Sequence, residues 1–447
     1  MLNEKPESCR YRKIELAVWI LLAISGCTGE DHQDRPEGKS AAIPDNEVAH
    51  QNQPAIRNPI SWIGNGQWMK VDTHSHTLFS DGRYPVIAVV ESAQKYGCDA
   101  IAITDHASHD LTAATEEYFT QIRAAQKLFP KIVVIPGLEW NVPPYDGNEH
   151  VTVLTIPGSD AWLRQFKEQF DGYQHPGVPP ASEALRWIEE NKKDEAVLIL
   201  NHPSRKRTDP TTIVEDALTW LKASQSFIGF AGSPGHQNKA KVGSYLGKLK
   251  TVDRWDPAAE TVGGAWDKLL GDGLHVYAAL APSDFHSPTS GDYWPGEFSE
   301  TWVYSPERSA SGVLDALKAG SFFASHGGIA QRVELQVKCE GLERPAFAGE
   351  TLYAAGKRID ISIRMQIPEI DLLGHPNSVD ELELIAIVDG KASIVAKQAP
   401  QKTLTDILSN FEVPATGAVF RARGRRFVDN GADLMFYTNP VWVTASP

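Results

Sequence analysis

Seven short apolar runs in this chain lead into histidine, aspartate or glutamate, and this pattern limits the possible folds more than any other feature. The clearest run is residues 71–76, in which His74 and His76 are two positions apart. Because residues two apart in a strand point to the same face, these two imidazoles are predicted to point together. The other six runs are residues 102–106, 133–139, 150–154, 198–202, 227–236 and 279–286.

Between residues 67 and 330 these runs alternate with segments of helical spacing. Near-continuous apolar strands separated by helices are typical of a parallel sheet covered on both faces, where ligands bind at the carboxyl ends of the strands. His150 is an exception, because it begins its run. A closed barrel explains the convergence of seven strand ends better than an open sheet, whose ends spread by about 4.8 Å per strand. Helices are predicted from Pro85 to a stop at Gly97 and near 114–128, 181–191, 212–223 and 261–271.

The order and spacing of several short segments resemble the motif set of the PHP superfamily (polymerase and histidinol phosphatase). The segments are Asp72-Thr73-His74-Ser75-His76-Thr77, Ser80-Asp81-Gly82, Thr104-Asp105-His106, Pro136-Gly137-Leu138-Glu139, Asn201-His202-Pro203 and Ser283-Asp284-Phe285-His286. The resemblance covers roughly residues 67–330 and implies an α/β fold, a distorted (β/α)7 TIM-like barrel. It also implies nine metal ligands at the strand ends: His74, His76, Asp81, His106, Glu139, His150, His202, Asp284 and His286.

Nine nitrogen and oxygen ligands are more than one ion can use, so two or three divalent ions are expected. Imidazole and carboxylate suit zinc, manganese or iron. The resemblance implies that Glu139 bridges two ions, and we expect Glu139, Asp284 and His286 to form the catalytic group. Asp81 stands where some members of the superfamily have histidine, which leaves occupancy of the third position open.

The expected chemistry is hydrolysis by a metal-bridging hydroxide, since the chain has no nucleophile elbow and no phosphate-binding P-loop. The resemblance implies a phosphoesterase that acts on small phosphate esters. Arg205, beside His202, is a candidate phosphate contact, and a solvated basic loop is the alternative. His236 is a candidate pocket residue, and a purely structural loop is the alternative.

Two other functions remain open at the level of sequence. The chain is also similar to the CehA/McbA branch of PHP proteins, which implies an ester, carbamate or amide hydrolase; the aromatic segments at 291–295 and 299–304 suit apolar leaving groups. A protein of another class, a non-catalytic surface binder with structural metal, is the second alternative. Structural metal sites are usually closed, whereas ligands at loop-bearing strand ends favour an open site.

The N-terminus is predicted to direct export. Arg10, Arg12 and Lys13 precede the apolar stretch 14–26, which is too short to span a bilayer comfortably and suits a signal peptide. The small residues before Cys27 resemble a bacterial lipobox, which implies lipidation of Cys27 and removal of residues 1–26. An uncleaved anchor and a soluble export signal are the alternatives. We expect a lipid-anchored envelope protein at the periplasmic face of the outer membrane.

Composition changes on either side of the predicted barrel. Residues 28–66 are polar and predict a disordered linker, whereas residues 331–447 alternate apolar and polar side chains and predict a small antiparallel β-sandwich.

The formal net charge of -14 argues against nucleic-acid binding and requires that an anionic substrate be attracted locally. We therefore expect a small-molecule substrate, no nucleic-acid partner and membrane contact through the lipid alone; the sequence leaves the oligomeric state open.

Overall fold

The computed structural model describes residues 53–445, apart from 145–149, 174, 176, 208, 238–248, 355 and 401–402. The predicted signal peptide, Cys27 and most of the predicted linker lie outside the described residues. Residues 53–66, predicted as linker, instead make ordered contacts: Ile60 is buried, and the indole of Trp62 donates to the carbonyl of Tyr304 at 2.7 Å. The linker was predicted from the composition of the whole segment 28–66, in which these few apolar residues are outnumbered by polar ones.

The described chain combines helices and strands in a mixed α/β architecture, and none of the described helices is long and apolar enough to cross a membrane. The helices are α1 (Val86–Lys95), α2 (Glu116–Leu128), α3 (Asp160–Phe170), α4 (Ala181–Asn191), α5 (Thr211–Ala223), α6 (Pro257–Glu260), α7 (Ala265–Gly271) and α8 (Ala310–Lys318). The strands up to residue 330 are β1 (Ala55–Ile56), β2 (Gln67–Asp72), β3 (Ala100–Ile103), β4 (Val133–Asn141), β5 (His150–Thr155), β6 (Ala196–Leu200), β7 (Phe227–Phe230), β8 (Ser299–Ser305) and β9 (Phe322–His326). Those that follow are β10 (Gln331–Cys339), β11 (Ala346–Phe347), β12 (Thr351–Tyr353), β13 (Arg358–Gln366), β14 (Glu381–Val388), β15 (Lys391–Gln398), β16 (Leu404–Glu412), β17 (Ala418–Arg426), β18 (Leu434–Thr438) and β19 (Val441–Thr444).

Helix α2 illustrates how the local sequence sets these elements. The hydroxyl of Thr115 caps its first turn by accepting from the backbone N–H of Tyr118. Tyr118, Phe119, Ile122 and Ala125 recur at helical spacing and are buried against the sheet. The phenol oxygen of Tyr118 also lies 2.8 Å from the carbonyl oxygens of Ile103 and Gly137, so this helix is tied to the end of β3 and the middle of β4.

The central sheet is only partly parallel. Strands β2, β3 and β4 are parallel to one another, and β6 is parallel to β7. Strand β5 is antiparallel to both of its neighbours, β4 and β6. Its first residue, His150, therefore lies at the edge where the neighbouring strands end. This direction explains why His150 begins its apolar run while the other candidate ligands follow theirs.

The closed (β/α)7 barrel is not confirmed. Among the described residues the strand path runs open from β1 to β7. The segment 277–285 lies between the end of β7 and the residues that follow β2, without forming a strand. The backbone N–H of Phe230 in β7 donates to the carbonyl of Tyr277 at 3.1 Å, and the N–H of His76 donates to the carbonyl of Phe285 at 2.8 Å. Pro282 lacks an N–H, and Asp284 has a φ of 48°, so a continuous strand cannot form through this segment.

Residues beyond 330 form mainly antiparallel strands, as their alternation predicts, although β12 and β19 are parallel to each other. Strands β10, β11, β13 and β16 make one sheet, while β14, β15 and β17 belong to the larger sheet. Leu335 and Ile361 from the first sheet share an apolar cluster with Leu384 and Phe420 from the second. The C-terminal strands are continuous with the central sheet, because β18 pairs with β9.

Candidate metal centre

The backbone after β2 carries the first pair of histidines. The imidazole nitrogens of His74 and His76 (both Nε2) lie 2.9 Å apart, so the two side chains point together as predicted. The carboxylate of Asp72 holds this segment by accepting from the backbone N–H of His74 at 3.1 Å and of Ser283 at 3.3 Å. Asp72 thus links the loop after β2 to the loop that carries Asp284.

Glu139 lies at the centre of the cluster. It belongs to β4, and its side chain is almost completely buried. Both carboxylate oxygens face imidazole nitrogens, at distances that two ligands of one ion can have. The facing atoms are His74 Nε2 at 3.4 Å, His76 Nε2 at 3.4 Å, His106 Nδ1 at 2.9 Å, His150 Nδ1 at 3.1 Å and His202 Nε2 at 3.5 Å.

Asp284 is the second carboxylate of the interior. Its Oδ1 lies 3.4 Å from His74 Nε2, 3.2 Å from His76 Nε2 and 3.7 Å from His286 Nδ1. The backbone at Asp284 is left-handed, which is uncommon for a residue other than glycine and marks a conformation held by its surroundings.

The cluster opens to solvent on the side of Asp81. The side chain of Asp81 is 54% exposed, and its carboxylate faces His286 Nε2 at 3.3 Å, His106 Nε2 at 3.6 Å and His76 Nδ1 at 3.5 Å. The nine predicted ligands therefore lie in one connected cluster. Among the described residues, His76, Asp81, His106 and His286 form one group that could hold an ion; His74, His76 and Asp284 form a second; and His106, Glu139 and His150 form a third.

The donor set fits divalent ions. Metal–nitrogen bonds of about 2.0–2.1 Å in tetrahedral geometry place neighbouring ligand atoms roughly 3.3 Å apart, close to the separations around Glu139 and Asp284. Three buried cluster atoms have no hydrogen-bond partner among the described residues: His106 Nδ1, His202 Nδ1 and Asp284 Oδ2. His106 Nδ1 nevertheless lies 2.9 Å from a Glu139 oxygen, and Asp284 Oδ2 lies 3.3 Å from His236 Nε2. These atoms are therefore close together, but their angles do not suit a hydrogen bond.

The electrostatics of the interior favour cation binding. Burial alone would raise the pKa of Glu139, but His150, His74 and His106 hold that pKa well below its usual value. The pKa of Asp284 is likewise held low against burial, by His74 and His236. Burial, together with the charge of His286, lowers the pKa of His76 to about 3. Ionised carboxylates beside a neutral imidazole are the protonation states that metal ligation requires.

Three of the histidines that face the carboxylates behave in the opposite way to His76. Burial lowers the pKa of His74, His106 and His286, but in each case nearby carboxylates outweigh burial and raise it. The carboxylate partners are chiefly Glu139 for His74 and His106, and Asp81 for His286. The site therefore concentrates negative charge that attracts protons or metal cations.

Further polar residues support the ligands. Asn201 donates to Glu139 Oε1 at 2.9 Å and accepts from the hydroxyl of Thr152 at 3.0 Å. Asp105 accepts from the backbone N–H of Thr77 at 2.8 Å and from the hydroxyl of Ser80 at 2.6 Å, which fixes the loop before Asp81. No separate role was predicted for Asn201 from the sequence, although its place directly before His202 was a usable signal.

The two candidate substrate residues lie on different sides of the cluster. Arg205 is partly buried, and its Nε has no hydrogen-bond partner among the described residues. Burial lowers the pKa of His202 and His150, and the positive charge of Arg205 adds to this effect. His236 lies against Asp284, with its Nε2 3.3 Å from Asp284 Oδ2. Its Nδ1 lies 2.6 Å from Asp292, a residue to which the sequence analysis gave no role.

Sequence comparison agrees with the expected family over part of the chain. The family model described as PHP domain matches residues 72–199. Within this PHP-domain match lie six of the nine predicted ligands, whereas His202, Asp284 and His286 follow it.

Similar proteins carry related descriptions. A "Probable phosphatase" of Shewanella piezotolerans is 26% identical over 140 residues, which are 30% of this chain and 52% of that protein. A "Probable phosphatase" of Aliivibrio fischeri is 30% identical over 115 residues, 26% of this chain and 44% of that protein. This chain thus spans about half the length of the curated relatives it matches.

Among solved structures, a two-domain protein from Bacteroides vulgatus, described as containing a predicted PHP-like metal-dependent phosphoesterase, matches with a TM-score of 0.39 and 17% identity. The match covers 84% of this chain and 95% of that protein. An amidohydrolase from Chromobacterium violaceum with bound sulfate matches with a TM-score of 0.32 and 16% identity, covering 50% of this chain and 89% of that protein.

Proposed function

We propose that this protein is a metal-dependent hydrolase of small phosphate esters. The observation that carries the proposal is Glu139, a buried carboxylate whose two oxygens face imidazoles from five histidines. The PHP-domain match over residues 72–199 and the relatives named as probable phosphatases support the same reaction class. A structural metal site closes all its positions with protein ligands, whereas this cluster is open on the side of Asp81.

The chain's own residues have distinct tasks in this proposal. Divalent ions held by the nine ligands would polarise the phosphoryl oxygens and acidify water. Glu139 holds neighbouring ligand groups together, while the two oxygens of Asp284 face different sides of the cluster. His286, only 15% exposed, lies between Asp284 and the open side near Asp81, where a substrate would enter.

Arg205 is the proposed phosphate contact. The net charge of the chain is -14, so the overall field repels a phosphate ester and attraction must come from local positive groups. Arg205 is a permanent cation beside His202 and His150, and a guanidinium matches the geometry of phosphate oxygens. An arginine in this place would bind the phosphoryl group as it reaches the cluster.

The proposal is tested with the full chain, stripped of metal by a chelator and then reloaded separately with Zn²⁺, Mn²⁺ or Fe²⁺. Hydrolysis of p-nitrophenyl phosphate and bis(p-nitrophenyl) phosphate is compared with hydrolysis of p-nitrophenyl acetate and an aryl carbamate. We expect phosphoester hydrolysis that disappears with the metal and returns on reloading. Full activity in metal-free protein, verified by elemental measurement, would refute the proposal.

Glu139→Gln provides the matched variant. Glutamine keeps the size of the side chain but removes the charge and one acceptor oxygen, so we expect loss of bound metal and at least about a 100-fold fall in kcat/KM. Glu334→Gln, in strand β10, is the control and should leave both unchanged. Turnover of carbamates or carboxylic esters alone would instead support a CehA/McbA-type hydrolase, and bound metal without any turnover would support a non-catalytic binder.

We also propose that the protein is exported and lipid-anchored through Cys27. Support comes from the basic residues Arg10, Arg12 and Lys13, the apolar stretch 14–26 and the small residues that precede the cysteine. With this anchor the hydrolase would act on small molecules in the bacterial envelope, at the periplasmic face of the outer membrane.

A further inference from the structure

His236 lies outside the nine predicted ligands but faces one of them directly. The two oxygens of Asp284 have different surroundings: Oδ1 lies within 3.4 Å of His74 and His76, whereas Oδ2 lies 3.3 Å from His236 Nε2. Oδ2 is buried and has no aligned hydrogen bond among the described residues. This carboxylate is therefore placed to join the main cluster to a second group of donor atoms.

The backbone of the loop after β7 is shaped to bring His236 to this position. His236 has a φ of 59°, a left-handed conformation that is strained for histidine. A Cβ atom added at the preceding Gly235 would come within 1.9 Å of Asp284 Cβ. Glycine is therefore required at residue 235 for the loop to approach Asp284 this closely.

Asp292 fixes the orientation of the His236 ring. Its Oδ1 lies 2.6 Å from His236 Nδ1, and its Oδ2 accepts from the backbone N–H groups of His286 and Ser287 at 2.7 and 2.8 Å. The Asp292 side chain is fully buried, so water does not compete for these contacts. When a carboxylate accepts a hydrogen bond from Nδ1–H, Nε2 carries no proton and its lone pair can bind a metal. Metal-binding histidines usually have such a carboxylate partner.

We propose that His236 is an additional metal ligand of this protein, which with Asp284 Oδ2 and His286 forms a metal position beside the main cluster. The ligand atoms of these three residues lie within 4.8 Å of one another. The inference rests on the metal centre of the proposed function and adds one ligand and one position to it. Because Asp284 and His286 also face the main cluster, this position has the lowest affinity of the set and takes an ion that accepts nitrogen and oxygen ligands, such as Mn²⁺ or Zn²⁺.

The sharpest variant is Asp292→Asn, which changes the His236 tautomer with little change in shape. The asparagine oxygen can still accept from the backbone N–H groups of His286 and Ser287, while its amide N–H₂ donates to His236 Nδ1. The proton of the neutral ring then moves to Nε2, which can no longer bind a metal. His236→Gln removes the ring altogether and provides a second variant that leaves Asp292 in place.

The measurement is metal binding by the full chain, independent of catalysis. Chelator-treated protein is titrated with Mn²⁺ or Zn²⁺ against a competing fluorescent chelator, and bound metal per chain is determined by elemental analysis after gel filtration. For both variants we expect one ion to bind about 10- to 100-fold more weakly while the tighter ions remain. His375→Gln, a change in a histidine whose side chain is 65% exposed, is the matched control and should bind as the wild type does.

The outcomes separate this inference from the proposed function. Weakening of one ion in both variants, with unchanged circular dichroism, supports His236 as a ligand. Wild-type metal number and affinity in both variants would refute this inference alone, because His236 would then only pair with Asp284. A wild-type chain that binds no divalent ion would overturn both proposals.

Discussion

At the scale of single residues, the candidate metal centre includes three residues with strained backbone. His202, His236 and Asp284 have φ values of 31°, 59° and 48°, all in the region that favours glycine. Each such conformation costs on the order of 1–3 kcal/mol and persists only where surrounding contacts determine it. Here the three residues point into the same cluster, so the strain coincides with the placement of donor atoms.

Asp256 supports the loop that carries His202. It is buried and accepts from the backbone N–H of Ser204 at 3.0 Å, from the hydroxyl of Ser204 at 2.5 Å and from the N–H of Ala258 at 2.8 Å. Burial raises the pKa of Asp256 from 3.8 to about 6, although these hydrogen bonds oppose the change. The folded chain therefore holds the proton of this carboxyl more tightly than the unfolded chain does.

This shift predicts a specific dependence of stability on pH. The contribution of the bound proton is complete below a pH near 3.8, falls as the pH rises to about 6 and is absent above it. Asp256→Asn, which does not titrate, should therefore show a smaller loss of stability between pH 4 and pH 6, by at most about 3 kcal/mol. Denaturant unfolding at several pH values measures the effect, with the exposed Asp272→Asn as control. Parallel curves for the wild type and Asp256→Asn would contradict the prediction.

At the scale of elements, apolar residues at helical spacing predicted several of the helices. Predicted segments near 114–128 and 181–191 correspond to α2 and α4 within about two residues. Helix α3 was missed, although Trp162, Phe166 and Phe170 recur at four-residue spacing. The direction of β5 was also missed, because an apolar run reads the same whether its strand is parallel or antiparallel to its neighbours.

Elements far apart in sequence are joined by a buried ion pair that no local pattern reveals. Arg421, in β17, contacts Asp267, in α7, through Nε–Oδ1 at 2.6 Å and Nη2–Oδ2 at 2.9 Å. Both side chains are at most 1% exposed, and the guanidinium lies 4.7 Å from the ring centroid of Trp266. Because each charge has lost its water, the pair holds α7 against the C-terminal strands only while both partners remain.

We therefore expect Asp267→Asn to destabilise the protein by about 3–5 kcal/mol, because it leaves a buried guanidinium without its counter-charge. The exposed pair Arg358–Glu412 offers the matched control, and Glu412→Gln should cost less than about 1 kcal/mol. Calorimetry on the three proteins compares the costs. Equal, small effects of both substitutions would show that the buried pair does not hold these elements together.

At the scale of the whole molecule, the ordered motifs were enough to predict which side chains meet, but not how the chain closes around them. His74 and Asp284 are separated by 210 positions in sequence, yet His74 Nε2 lies 3.4 Å from Asp284 Oδ1. The strand-end pattern and the resemblance of the ordered motifs to the PHP superfamily pointed to such residues. The contact between His236 and Asp292 depends on the conformations of two loops, which no periodicity in the sequence encodes, so only the three-dimensional structure reveals it.

The proposed anchor predicts where the whole molecule resides. When the full chain is expressed in a Gram-negative host, lipid on Cys27 should place it in the membrane fraction and allow labelling with radioactive palmitate. Cys27→Ser should abolish the label, because serine has no thiol to accept the lipid. Cys98→Ser, at a buried free cysteine of the folded part, controls for loss of a thiol elsewhere and should keep the label. A Cys27→Ser protein that still carries palmitate would contradict lipidation at this residue. An unlabelled wild-type protein released in soluble form would instead fit a cleaved export signal with an incidental cysteine.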